Sequence, residues 1–150
     1  LRQLITHNDT KINNVLFDRN SGEAVCAIDL DTLMPGYFIF DLGDMIRTFV
    51  SPVDEEEQDL SKVVVRPEIY SALISGYIEG MENTLTEEER DAIPFAGMMM
   101  IYMMALRMLA DYLNGDVYYK IRYENQNLNR ARNQIRLLQE LDHFLSLRRT

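Results

Sequence analysis

His7-Asn8-Asp9-Thr10-Lys11-Ile12-Asn13-Asn14, running straight into Val15-Leu16-Phe17 and returning through Ala24-Val25-Cys26-Ala27-Ile28-Asp29, is the stretch that decides how this chain folds. It has the form H-x-D-x-K-x-x-N followed by an apolar strand, and a second carboxylate, Asp29, comes fifteen residues after Asn14. Asn14 to Asp18 and Ala24 to Asp29 are short and rich in Val, Ile, Leu and Phe, and the polar stretch Asp18 to Glu23 is turn chemistry, so a hairpin is expected. Centring its turn on Ser21-Gly22 pairs Val15 with Ile28 and Phe17 with Cys26 on one face, and Leu16 with Ala27 on the other. Both faces are then apolar, which predicts a buried hairpin. In that register residues 14 and 29 lie opposite each other, with Cα atoms about 4.5–5.5 Å apart. An amide oxygen and a carboxylate would meet beside Asp9, a donor set for a hard cation such as Mg²⁺.

These residue types at this spacing suit phosphoryl transfer. Asp9 can orient an attacking hydroxyl and take its proton, Asn14 and Asp29 can hold the metal, and Lys11 can stabilise charge on the transferred group. His7 reads as a hydrogen-bonding support for the loop.

Outward from this stretch, the remainder of the first fifty residues reads as loop, with Thr32 to Gly36 as a turn. Asp54-Glu55-Glu56-Glu57-Gln58-Asp59 reads as a solvated charge run. Pro67 to Met81 has helical spacing, with Ile69, Leu73, Tyr77 and Ile78 on one side. Thr86 followed by Glu89 is a capping box, so a helix should start there. Pro94 suits the first turn of a helix running to Asn114 and stopped by Gly115. That helix carries Met98, Met99, Met100, Met103, Met104 and Met108 and is apolar nearly all round, which predicts a central core helix. Leu128, Ala131, Ile135, Leu138, Leu141 and Leu145 predict an amphipathic helix over 128–147.

The net charge of −9 argues against a nucleic-acid partner, which requires a basic stripe. The lone Cys26 allows no internal disulfide, fits a reducing, cytoplasmic setting, and reads as a small buried hydrophobe. No uninterrupted apolar stretch of membrane-spanning length is evident, so no membrane is expected. A sulfatase-type hydrolase would need a modifiable Cys or Ser ahead of Pro and Arg; Cys26 is followed by Ala27, Ile28 and Asp29.

His7, Asp9 and Asn14, then Ile28-Asp29, resemble the catalytic loop of aminoglycoside and choline kinases. The longer strings HNDTKINNVLFD and AIDLDTLMPG are similar to bacterial N-acetylhexosamine 1-kinases, with further similarity at Phe40 to Asp44, Tyr112 to Asp116 and Asn127 to Gln134. The resemblance implies an α+β, mostly helical fold: the C-terminal lobe of a protein-kinase-like (aminoglycoside phosphotransferase) fold with a catalytic-loop β-hairpin. Residues 1–150 would form a single domain, with the catalytic loop and metal-binding hairpin in 1–50 and a helical subdomain in 60–150. It implies phosphorylation of a sugar hydroxyl at the anomeric position, with ATP as donor and Mg²⁺ as cofactor. By position in the match, Arg107 and Tyr118 are candidates for sugar contacts. Asp31 would support the metal site or cap the Thr32–Gly36 turn, and Asp41 and Asp44 would be structural hydrogen-bond acceptors. The seven glycines are scattered, with no glycine-rich phosphate loop, and the chain opens on Leu1. It is therefore expected to be a C-terminal piece lacking its nucleotide-clamping lobe, inactive alone and forming a homo-oligomer through the surface exposed at the hinge. Alternatives are a pseudokinase or binding module of the same fold, and a choline- or aminoglycoside-type kinase with another small-molecule acceptor.

Overall fold

Leu4–Thr6 forms β1, Val15–Phe17 β2, Ala24–Ala27 β3 and Met34–Gly36 β4 in the computed structural model, which describes residues 1–82 and 84–148. The helices are α1 (Phe38–Phe49), α2 (Pro67–Met81), α3 (Glu87–Asp91), α4 (Ile93–Leu113) and α5 (Gln126–Leu147). The fold is α+β and mostly helical. β1 pairs antiparallel with β4, Leu4 opposite Gly36, and β2 pairs antiparallel with β3.

The core lies where α1, α4 and α5 meet. Leu42 and Ile46 from α1, Ala96 and Ile101 from α4, and Leu137 and Leu141 from α5 are essentially removed from solvent. Two glycines let these helices approach. A Cβ on Gly43 would lie 2.5 Å from the Ala96 carbonyl oxygen, and one on Gly97 would lie 2.6 Å from Ile46 Cγ2. The loop expected over this stretch is instead helix α1, in which Phe38, Ile39, Leu42 and Ile46 recur at helical spacing and all are buried. Thr32–Gly36 is likewise not simply a turn: Met34–Gly36 is β4, whose partner β1 lies some thirty residues earlier, beyond the reach of local pattern.

The local signals of the second half hold. α2 opens on Pro67 and runs to Met81. Thr86 and Glu89 form the reciprocal capping box, with Thr86 Oγ1 accepting the Glu89 N–H at 3.2 Å and Glu89 Oε2 accepting the Thr86 N–H at 3.0 Å. After α4, Gly115 takes a left-handed conformation at φ +86°, where a side chain would be strained.

Several expectations need correction. The β2–β3 register is one residue off: Val15 faces Ala27, Leu16 faces Cys26, and a bulge puts Phe17 opposite Ala24. The cause is Asp18, whose carboxylate accepts the N–H groups of Asn20 and Ser21 at 2.9 and 2.8 Å, while its own N–H donates to the Glu23 carbonyl at 2.8 Å. That Asx-type turn pins Asp18 against Glu23 and outweighs a turn centred on Ser21-Gly22. Nor is the hairpin buried: Leu16 and Phe17 are about half exposed, and Cys26 is exposed, not a core residue. Helix α4 buries one face only, through Ala96, Gly97, Ile101, Ala105 and Met108, and exposes Phe95, Tyr102, Leu106 and Leu109. It packs against both α1 and α5 and is central to the core as expected, but its outer face is open. By length and composition alone α4 could also cross a membrane, which the sequence reading had not expected; Arg107 and Asp111 interrupt it. On α5 the buried stripe runs through Asn127, Ala131, Gln134, Leu137 and Leu141, leaving Ile135 exposed.

Candidate active site

Each side chain of the Asp9 group is delivered by a short, strongly constrained piece of backbone. Asn8 sits at φ +64° immediately before Asp9, tolerated because its side chain bonds locally: Nδ2 donates to the Thr6 and Thr32 carbonyls at 3.2 and 3.0 Å. A 3-10 turn over Ile12–Asn14 then swings Asn14 back, burying it at the mouth of β2. Across the hairpin, the Ile28 N–H donates to the Asn14 carbonyl at 2.9 Å, so Ile28 occupies the place expected for Asp29. Asp29 adopts a left-handed conformation at φ +65°, which turns the chain out of β3.

Despite the register shift, the carboxylates and the amide meet. Asn14 Nδ2 donates to Asp9 Oδ2 at 2.9 Å and to the Asp9 carbonyl at 2.9 Å, and lies 3.5 Å from Asp29 Oδ2. Lys11 Nζ donates to the same Asp9 Oδ2 at 2.6 Å. Asp9, Lys11, Asn14 and Asp29 are thus one cluster, which a single divalent ion and a phosphoryl group could engage. Two carboxylates and an amide suit Mg²⁺, which takes few protein ligands and keeps the rest for water and phosphate oxygens. Among the described residues no three His, Cys, Asp or Glu side chains gather into a self-sufficient metal cage.

Behind the cluster stand His7 and Asp41. From the first turn of α1, Asp41 accepts the backbone N–H of His7 at 2.8 Å and that of Asn8 at 2.7 Å, while its carbonyl accepts Thr10 Oγ1 at 2.6 Å. The loop is therefore tied to a helix rather than to another loop. His7 Nε2 lies 3.0 Å from the Ile28 carbonyl, bracing the far strand. Asp31 is exposed on a 3-10 turn, Leu30–Thr32, and among the described residues no hydrogen bond ties it to Asp9.

A charged network that sequence reading missed lies next to this cluster. Arg47, nine-tenths buried, pairs with Asp44 at 2.9 Å and with Glu55 at 2.7 Å; Arg130 from α5 pairs with Glu55 and, at 3.2 Å, with Glu56. Burial raises the Asp44 carboxyl above its ordinary pKa against the pull of Arg47, and the charges of Asp9 and Lys11 reach it too. Burial would lower Arg47, but Asp44 and Glu55 outweigh it and its pKa stays high. The expected solvated run 54–59 is thus partly a wall of ion pairs. Only Asp44 and Arg47, three apart, carried a local signal; Glu55 and Arg130 are seventy-five residues apart.

Arg107 and Tyr118 do come together, but in a separate cleft of about 320 Å³ that also takes in Asp111, Asn114 and Tyr119. The Arg107 guanidinium lies 5.9 Å from the Tyr118 ring centre and 6.0 Å from that of Tyr119, and Arg130 lies 5.6 Å from Tyr119 on the network side. Asp111 accepts the N–H groups of Tyr118 and Tyr119 at 2.8 and 2.9 Å. Those amides, Tyr119 foremost, hold its carboxyl below the usual range. The model of a family described as the phosphotransferase enzyme family matches residues 1–82, the span that runs from β1 through α2 and holds the whole Asp9 cluster.

Proposed function

We infer the function from one premise: this chain belongs to the phosphotransferase enzyme family. The reaction is phosphoryl transfer from ATP, with Mg²⁺, to a hydroxyl of a small sugar, an N-acetylhexosamine taken at its anomeric position. Asp9 orients the attacking hydroxyl and receives its proton; Lys11, already at Asp9, lies ready for charge developing on the transferred group. Asn14 and Asp29 would hold Mg²⁺, which neutralises charge on the donor phosphates when bound. Asn14 Nδ2 faces both carboxylates here, so its amide would have to turn to present the oxygen to the ion. Arg107 and Tyr118 would contact the sugar. The observation that supports this reading above the others is the meeting of Asp9 and Asp29 on the Asn14 amide, at 2.9 and 3.5 Å.

This reading makes the chain the C-terminal lobe of a larger kinase, working in the reducing cytoplasm that its exposed free thiol suits, with nucleotide clamping assigned to a lobe outside these residues. The test therefore uses the full-length protein, supplied with ATP, Mg²⁺ and, separately, N-acetylglucosamine, N-acetylgalactosamine, choline and an aminoglycoside. ADP release and phosphorus NMR of the products should show an anomeric sugar phosphate from an N-acetylhexosamine. Turnover of choline or the aminoglycoside alone would move the acceptor class, and no turnover with any of them would favour a binding module of the same fold.

A further inference from the structure

Among the described residues no element covers the outer face of α4. Phe95, Met99, Tyr102, Leu106, Leu109 and Leu113 follow one another there at intervals of four, three, four, three and four residues. Such intervals keep one stripe of a helix in register for a second helix, as the a and d positions of a heptad do. All but the partly buried Met99 are exposed, Leu113 to 73%. From Phe95 to Leu113 the stripe runs about 27 Å at ~1.5 Å per residue. No charge interrupts it: the charged residues of α4 are Arg107, which sits over Tyr118 and Tyr119, and Asp111, which is buried. By composition α4 could cross a membrane, but its inner face already packs on α1 and α5, and lipid would have to replace that core.

The intervals read the same in both directions, with their centre at Met104. An identical helix laid antiparallel on the stripe therefore matches it: Phe95 meets Leu113 of the copy, Met99 its Leu109 and Tyr102 its Leu106, and each pairing occurs twice. A two-fold interface requires that self-complementarity. The ends fit as well. A recess of about 280 Å³ lined by Phe95, Met98, Met99, Tyr102 and Leu138 lies at the start of the stripe, where Leu113 of the copy, the most exposed of the six, would enter. Glu87, Glu88 and Asp91 are exposed ahead of α4, while Lys120 and Arg122 are exposed in segment 117–122 behind it. Arg90 does not offset the acidic end, because its guanidinium donates to the Glu82 carbonyl at 2.9 Å. Antiparallel packing sets the acidic end of each copy by the basic end of the other and runs the helix dipoles head to tail. Two chains of net charge −9 would thus meet on an uncharged face. With Met98 and Met103 at its margins, that face offers on the order of 700 Å² per copy, near the ~800 Å² each side of a stable interface buries.

We propose that α4 packs antiparallel against α4 of a second copy of this chain, making the full-length protein a two-fold dimer. The pairing is independent of the phosphotransferase reading. Sedimentation equilibrium of the full-length protein tests it, for the wild type, Leu106→Glu and Phe17→Glu, the last on the exposed hairpin. The wild type should be a dimer. Leu106→Glu sets two carboxylates in the middle of the seam and should weaken the dimer about a hundredfold or more, while Phe17→Glu should leave it unchanged. Leu106 is exposed in the single chain, so the substitution disturbs no core contact. Oxidative cross-linking in a Cys26→Ser background gives a second reading. Phe95→Cys with Leu113→Cys should join two copies, whereas Phe95→Cys alone should not, because the two Phe95 positions then lie at opposite ends of the pair. A wild-type monomer at every concentration, a dimer that Leu106→Glu leaves intact, or cross-linking through Phe95→Cys alone would each overturn the proposal. So would a full-length monomer that floats with phosphatidylcholine vesicles, which would give the face to lipid.

Discussion

Asn14 is held by two constraints from different parts of the chain, the 3-10 turn behind it and the Ile28 N–H across the hairpin. Its convergence with Asp29 survives the one-residue register error because Asp29 turns into the left-handed region where the strand ends. Asp41 plays the complementary part from α1. Replacing it with alanine leaves the His7 and Asn8 amides without their acceptors, which should cost about 1–3 kcal/mol in urea unfolding. Unchanged stability would mean the loop is held elsewhere. Glu89 supports a second prediction. Arg2, through side chain and backbone, and the Thr86 N–H hold its carboxyl at a pKa of about 2, from an ordinary 4.5. A depressed carboxylate contributes stability above its unfolded pKa and loses it as pH falls through the folded one. Melting temperature should therefore drop between about pH 4.5 and pH 2, and Glu89→Gln should flatten that part of the profile; parallel profiles would remove Glu89 from the account.

Among the elements, α2, α3 and α4 were legible because their signals are local: Pro67 at a first turn, Thr86 three residues ahead of Glu89, and Gly115 as a stop. The β1–β4 pair and the α1 docking surface were not, since their partners are distant in sequence, and α1 hides a glycine at its centre. That glycine, Gly43, is needed where α1 crosses α4. Gly43→Ala would drive a methyl group against the Ala96 carbonyl, a backbone atom that cannot rotate away. A loss of about 1–3 kcal/mol or more is expected by thermal or urea unfolding. A neutral or stabilising result would show that the crossing relaxes freely. In the candidate site, the H-x-D-x-K-x-x-N spacing put Asp9, Lys11 and Asn14 on one loop, but Asp29 joins them through a left-handed turn and not through the expected register. The Arg47–Glu55–Arg130 network stayed invisible because no sequence pattern links the loop after α1 to α5.

At the scale of the whole molecule, α1, α4 and α5 close a core between them, while the outer face of α4 and the hairpin side both stay open. Leu16, Phe17, Val25, Leu30, Leu33 and Met34 all present apolar surface on the hairpin side. Patches of that kind drive association, so residues 1–150 alone should sediment as a dimer or larger species whose size rises with concentration; a concentration-independent monomer would count against it. The central claim concerns chemistry at Asp9, and the most direct measurement is the rate of ATP-dependent sugar phosphorylation by full-length protein, wild type against Asp9→Asn, with circular dichroism confirming that both fold. The account predicts wild-type turnover that needs Mg²⁺ and falls by about 10²–10⁴-fold in the variant. An Asp9→Asn protein that phosphorylates the sugar at the wild-type rate would contradict it.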